Sequence, residues 1–156
     1  MPFNGFEGAR NFEELGSQIQ AAVACEVNFD RFNVGLLDLD AYEFIDAYVY
    51  GRNVPGRQTG HRRTLKGTVV EAALASGGVF AGSDDVEAMV SRFPGFRPVY
   101  ESGIKAMAAT VICDGEEHIA SLVVGSGNPQ AFTAATIASM RLVGDRALSH
   151  LKRLSP

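Results

Sequence analysis

Cysteine is scarce in this chain of 156 residues: Cys25 and Cys113 stand alone, with no Cys-x-x-Cys pair. A disulfide framework is therefore not expected, and a reducing compartment is the default. Histidine is nearly as scarce, at His61, His118 and His150, and no His-x-x-x-His pair occurs. With no ligand cluster in view, no metal is expected. No Gly-x-Ser-x-Gly elbow supplies a serine nucleophile, and no base is paired with one, so no catalytic residue is expected. The glycine-rich run Gly77–Gly82 lacks the Gly-Lys-Ser/Thr that grips phosphate. It reads as a helix stop followed by a turn, and no cofactor is expected. Apolar runs fall far short of the ~20 residues that span a bilayer. The first residues show no basic segment leading into an apolar one, so no signal peptide is read there. No membrane partner is expected, and the location read from these features is cytoplasmic. There is also no excess of positive charge: Lys and Arg number 14 against 18 Asp and Glu, a net charge of −4. That balance argues against a general nucleic-acid surface. Arg57, His61, Arg62, Arg63 and Lys66 form one local basic cluster, which reads as a solvated loop.

What is present is a chain of ordinary globular composition, with 46% hydrophobic and 21% charged residues, and the size of one domain. Residues 1–156 are read as a single unit, with residues 1–10 as a flexible N-terminus. Asn11 and Glu14 have capping-box spacing, and Phe12, Leu15, Ile19 and Val23 recur at helical spacing, giving a helix over Phe12–Cys25. Phe32–Asp40 and Glu43–Tyr50 read as a hairpin turning at Asp38–Tyr42. Gly51–Arg63 reads as a loop. Thr68 and Glu71 open a second helix that stops at Gly77-Gly78, ahead of a very short strand at Val79-Phe80. Ser83-Asp84-Asp85 is read as capping a third helix through Phe93, and Phe96–Ser102 as an aromatic loop. Gly103–Cys113 and His118–Val124 form a second hairpin around Asp114-Gly115. Thr133 caps a last helix, Ala134–Arg153, with Phe132 and Ile137 as a hydrophobic staple. Hairpins with helices segregated between them predict an α+β fold on a mainly antiparallel sheet.

This order of elements resembles that of GAF domains, small sensory α/β modules. Phe29–Asp38 resembles the family's first strand with its preceding Asp-Arg pair. Gly67–Phe80 resembles its Gly-led helix, and Ser83-Asp84 falls where an Asp is common. Gly103–Ser126 is the best match, and Phe132-Thr133 resembles the opening of the last helix. Two positions depart from the pattern: Thr110 stands where Pro is usual, which alters the strand at its edge, and Ala120 where Gly is favoured. The resemblance implies a GAF-like sheet of five or six strands, with the first and last helices on one face and the connecting helices and loops on the other.

It also implies a pocket between the sheet and the connecting elements, with Phe80, Phe93, Tyr100, Lys105 and Met107 as candidate lining. The same aromatic residues equally suit a closed core. Lys105 is read either as reaching solvent or as meeting Glu101 or a ligand carboxylate. The implied function is a small-molecule-binding or signal-relay module of a bacterial signalling protein, with an effector domain elsewhere and an unidentified small-molecule ligand. Two alternatives stand beside it: a cysteine-dependent free methionine sulfoxide reductase, and a ligand-free dimerisation module. The cysteine positions do not suit the former, since neither lies between Val79 and Ser102. A PAS-like fold is the structural alternative. Ile137, Met140, Gly144, Ala147, Leu151 and Leu154 step by threes and fours, which predicts a homodimer through the first and last helices. Part of that stripe must cover the domain's own sheet.

Overall fold

Local capping chemistry starts the main helices of the computed structural model, which describes residue 6 and residues 8–82 and 86–155. Asn11 caps α1 (Phe12–Ala24) by accepting the Glu14 N–H at 2.9 Å. The return bond lands one residue further upstream than in a capping box: Glu14 Oε2 accepts the Arg10 N–H at 2.8 Å. The same variant opens α2 (Val69–Ala75), where Thr68 accepts the Glu71 N–H and Glu71 accepts the Gly67 N–H at 3.0 Å. Each helix start thereby satisfies two backbone donors. Thr133 and Thr136 form a reciprocal box at the head of α5 (Ala134–Leu154), and Phe132 and Ile137 pack against the core beside it.

Six strands make one antiparallel sheet in the order β3-β2-β1-β6-β5-β4. They are β1 (Arg31–Asp38), β2 (Glu43–Gly51), β3 (Arg62–Thr64), β4 (Val79–Gly82), β5 (Ala106–Asp114) and β6 (Glu117–Ser126). Side chains alternate across each strand. Phe32, Val34 and Leu36 of β1 join one core cluster, while Leu37 joins the other. In β2 a bulge interrupts the alternation: Val34 pairs with Tyr48 but Gly35 with Asp46, leaving Ala47 over. Phe44 therefore joins the second cluster, whereas Tyr48 packs against the first, near the Phe32 ring. Without the bulge both would share one face.

The sheet carries a layer on each side. α1 and α5 cover one face around Leu15, Ile19, Leu122, Met140 and Leu151, all fully buried. Gly144 lets α5 settle onto the sheet, since a Cβ there would lie 2.8 Å from Ile112 Cγ1. The opposite face is covered by α2, by α3 (Val86–Arg92) and by α4 (Phe96–Glu101), around Phe44, Leu65, Val70, Phe96 and Val123. This is the α+β architecture expected, with the first and last helices together on one side.

Several local expectations change. Within residues 1–10, Phe6 and Ala9 are buried in the α1–α5 core, and Arg153 Nη2 donates to the Ala9 carbonyl at 3.0 Å. Phe96–Glu101 is a short helix rather than a loop, because Pro98 falls in the first turn, where its missing N–H costs nothing. Arg62 and Arg63 leave the expected loop to pair in β3 with Phe44 and Ile45. Thr110 lies in β5, an interior strand bonded to β4 and β6, so the expected change at a strand edge does not arise. Met140, Gly144, Ala147 and Leu151 are buried inside the monomer, which removes the centre of the expected dimer stripe. The cap at Ser83-Asp84-Asp85 lies outside the described residues.

Candidate functional site

The α1–α5 side is packed with apolar side chains; the other side holds a cavity of about 60 Å³. Its apolar wall comes from both layers. The sheet supplies Phe44, Met107 and Val123, and the cover supplies Val70 of α2 with Phe96 and Val99 of α4. Phe93 and Gly95 close the α3–α4 connection over it. A wider groove near Leu39, Tyr42, Leu74 and Arg92 lies more open to solvent and lacks this two-sided enclosure.

The polar wall is cationic. Arg31, on the alternate positions of β1 that face away from α1 and α5, is only 7% exposed. Two of its five donors go to the chain: Nη1 donates to the Arg52 carbonyl at 2.7 Å and Nη2 to the Arg57 carbonyl at 2.6 Å. Those bonds tie the segment after β2 to the first strand. Two positions on, Asn33 donates through Nδ2 to Asp46 Oδ1 at 3.2 Å. Asp46 is wholly buried, and Arg63 of β3 clasps it with Nε at 3.0 Å and Nη2 at 3.3 Å. The same guanidinium stacks over the Phe44 ring, 4.5 Å from its centroid. Main-chain bonds hold Asp46 in place: its N–H donates to the His61 carbonyl, and the Gly60 N–H donates to its carbonyl. Burial pushes the pKa of both Arg31 and Arg57 down from the ordinary guanidinium value; Asp46 opposes this and neighbouring Arg63 adds to it. Arg31 and Arg57 stay charged nonetheless, because arginine keeps its proton in proteins.

Of the residues expected to line a pocket, Phe93 and Met107 line this cavity. Phe80 lies one step behind, its ring edge-on to Phe93 with centroids 5.3 Å apart. Tyr100 is exposed at 37%, with its ring centroid 6.3 Å from that of Phe96. Lys105 precedes β5, is exposed, and takes no part in the lining; its N–H donates to the Ser126 carbonyl. The cations at the cavity are Arg31, Arg57 and Arg63, two of them from the cluster read as a solvated loop. A usable signal was present in β1, where Arg31 and Asn33 alternate with Phe32 and Val34. Neither Cys25 nor Cys113 lines the cavity, and burial pushes the Cys113 thiol pKa up, away from a reactive thiolate. Among the described residues no group of His, Cys, Asp and Glu is placed to hold a metal, and no helix is long and apolar enough to cross a membrane.

The fold that frames this cavity is GAF-like. It is similar to the GAF domain of a two-component sensor histidine kinase from Bacillus halodurans, with a TM-score of 0.72, 14% identity, and coverage of 88% of this chain and 90% of that one. It is similar to the GAF domain of a phosphoenolpyruvate-protein phosphotransferase from Acinetobacter, with a TM-score of 0.72, 15% identity, and coverage of 95% and 86%. It also matches the chromophore-binding domain of a bacteriophytochrome from R. palustris, with a TM-score of 0.70 and 10% identity, over 96% of this chain and 57% of that longer one. No family model and no curated protein matches the sequence.

Proposed function

We propose that this chain is a sensory module that binds a small molecule in the cavity between the sheet and α2–α4, within a larger bacterial signalling protein that carries its effector elsewhere. The observation that carries this reading is the two-sided cavity itself. It is mostly apolar, with a few convergent polar groups at one end, which is the usual make-up of a small-molecule site. Support also comes from the solved GAF domains of similar fold, one of them from a sensor histidine kinase. A ligand that binds only the folded state raises the melting temperature with occupancy. The test is native mass spectrometry of freshly purified protein, followed by a thermal-shift screen of small metabolites. A retained or added compound whose effect is erased by Val99→Trp, which fills the cavity, supports the reading; an effect unchanged in that variant places the ligand elsewhere.

The same reading includes a homodimer through the outer faces of α1 and α5, where Leu142 is 53% exposed. Leu142→Glu is then expected to convert dimer to monomer by light scattering, with the melting temperature within about 2 °C of the parent, as for most surface changes. An unchanged mass rules out that surface.

A further inference from the structure

The three cavity arginines are not equivalent. Arg31 gives its donors to two carbonyls, and Arg63 gives two to the Asp46 carboxylate. The Arg57 guanidinium makes no hydrogen bond or ion pair with any described residue. It nevertheless sits in the cavity wall, held beside Gly95 so closely that a Cβ there would lie 3.0 Å from its Nη2. The charge of one carboxylate, Asp46, acts on Arg31 and Arg57 as well as Arg63, and Arg63 already engages both of its oxygens. A half-buried cation with five unassigned donors, in a site short of negative charge, is incomplete by itself.

Resting on the proposed ligand-binding role of this cavity, we infer that the ligand is a small organic carboxylate, its carboxylate held by Arg57 at the β1–β2–β3 end and its short apolar body against Phe93, Phe96 and Val99. A guanidinium fork matches the two oxygens of a carboxylate. Size limits the body. One water occupies ~10–15 Å³ by this kind of measure, so a cavity of about 60 Å³ admits a molecule of only a few heavy atoms. The aromatic and aliphatic wall selects against a fully hydrated inorganic oxyanion, which would lose its water there without replacement. Arg31 and Arg63 are each tied to the chain by two hydrogen bonds and add positive potential, whereas none of the Arg57 donors is committed, so Arg57 makes the principal contact.

The probes are propionate, its neutral isostere propionamide, and inorganic phosphate, read by thermal shift and titration calorimetry on the intact chain. Propionate at saturation is expected to raise the melting temperature by about 3 °C or more, and propionamide and phosphate by less than about 1 °C. Arg57→Gln is expected to weaken propionate binding at least about 10-fold. Gly95→Ala is the second variant: the backbone there has φ −72° and ψ −6°, which alanine adopts freely, so it displaces the guanidinium without altering its charge. Weakened propionate binding in Gly95→Ala, with an unchanged circular dichroism spectrum, supports the contact. Equal stabilisation by propionamide overturns the carboxylate assignment, and equal stabilisation by phosphate overturns the organic body. Full propionate affinity in Arg57→Gln overturns the role of Arg57. A neutral metabolite that stabilises the protein while propionate does not overturns this inference and leaves the sensory reading standing. If no compound of either kind stabilises the protein, both fall.

Discussion

On the α1–α5 side of the sheet, Leu15, Ile19, Leu122, Met140 and Leu151 pack with no measurable exposure. On the α2–α4 side, Phe44 and Phe96 share the space with Arg31, Asn33, Asp46, Arg57 and Arg63, and a cavity remains. The same six strands supply both faces, so the difference lies in what alternates along them and in what covers them. The first cover is two long capped helices lying side by side. The second is three short helices of 7, 7 and 6 residues, too short to be stable without tertiary contacts. Close packing leaves no room for a ligand, whereas polar groups that bond across strands hold a space open and fix its shape. The tightly packed face is thus the one under α1 and α5, and the cavity proposed to bind a ligand lies on the other.

Leu151→Glu tests this contrast most severely. An unpaired carboxylate in the centre of the α1–α5 core is expected to consume most of a marginal stability of ~5–15 kcal/mol. The measurable result is loss of the cooperative thermal transition by circular dichroism. A stably folded monomer would instead restore Leu151 to the outer dimer stripe. Next comes Asp46→Ala on the cavity face, which strips Arg63 and Asn33 of their acceptor. Breaking a buried ion pair of this kind costs ~3–5 kcal/mol, a fall in Tm of roughly 10 °C. Removing the cation as well, in Asp46→Ala/Arg63→Met, is expected to recover part of that loss; no recovery would mean that Arg63 is not the group left uncompensated.

Arg57→Met should move stability the other way. Replacing a half-buried, unpaired guanidinium with an apolar side chain of similar length is expected to leave the ligand-free protein as stable or up to about 1 kcal/mol more so. Urea titration measures this, and a loss as large as that of a core truncation would remove the contrast between the faces.

The smallest effect lies at the rim of the cavity face. The Tyr42 hydroxyl, and then the Gly67 N–H, hold the Glu71 carboxyl below its ordinary 4.5. A carboxylate with a lowered folded-state pKa contributes stability above its unfolded value and loses it as pH falls through the folded one. Tyr42 is raised above 10.0 chiefly by the same hydrogen bond, so its contribution is present below that pH and lost above it. Glu71→Gln is therefore expected to flatten the Tm profile slightly on its acid limb, below about pH 4.5, and on its alkaline limb, above about pH 10. An unchanged slope on both limbs would show that the pair contributes nothing in solution.

The starts of α1, α2 and α5, both hairpins and the segregation of helices from strands were legible in the order of residues. Each depends on groups a few positions apart: Asn11 with Glu14, Thr68 with Glu71, Thr133 with Thr136, and the turn at Gly115 with φ 62°. Periods of 3.6 and 2 need no knowledge of what lies across the fold. The cavity was not legible in this way. Lys105, two residues before Met107, was open to two readings, a solvent-facing cation or one meeting an anion at the pocket; β5 begins one residue later and leaves it at the surface, outside the cavity lining. Arg57 and Arg63 looked like solvated loop residues because their neighbours are polar. They turn inward because β3 pairs with β2, because the bulge at Ala47 sets Phe44 and Asp46 on the cavity face, and because Arg31 of β1 binds the carbonyls of Arg52 and Arg57. The dimer stripe followed the same rule: its spacing on α5 was plain, but whether it met another copy or the chain's own sheet depended on where β5 and β6 lay. Patterns within an element follow from bonds between near neighbours. The polar bonds of the site join groups 13 to 26 positions apart, and its wall joins groups further apart still, which only the tertiary fold brings together.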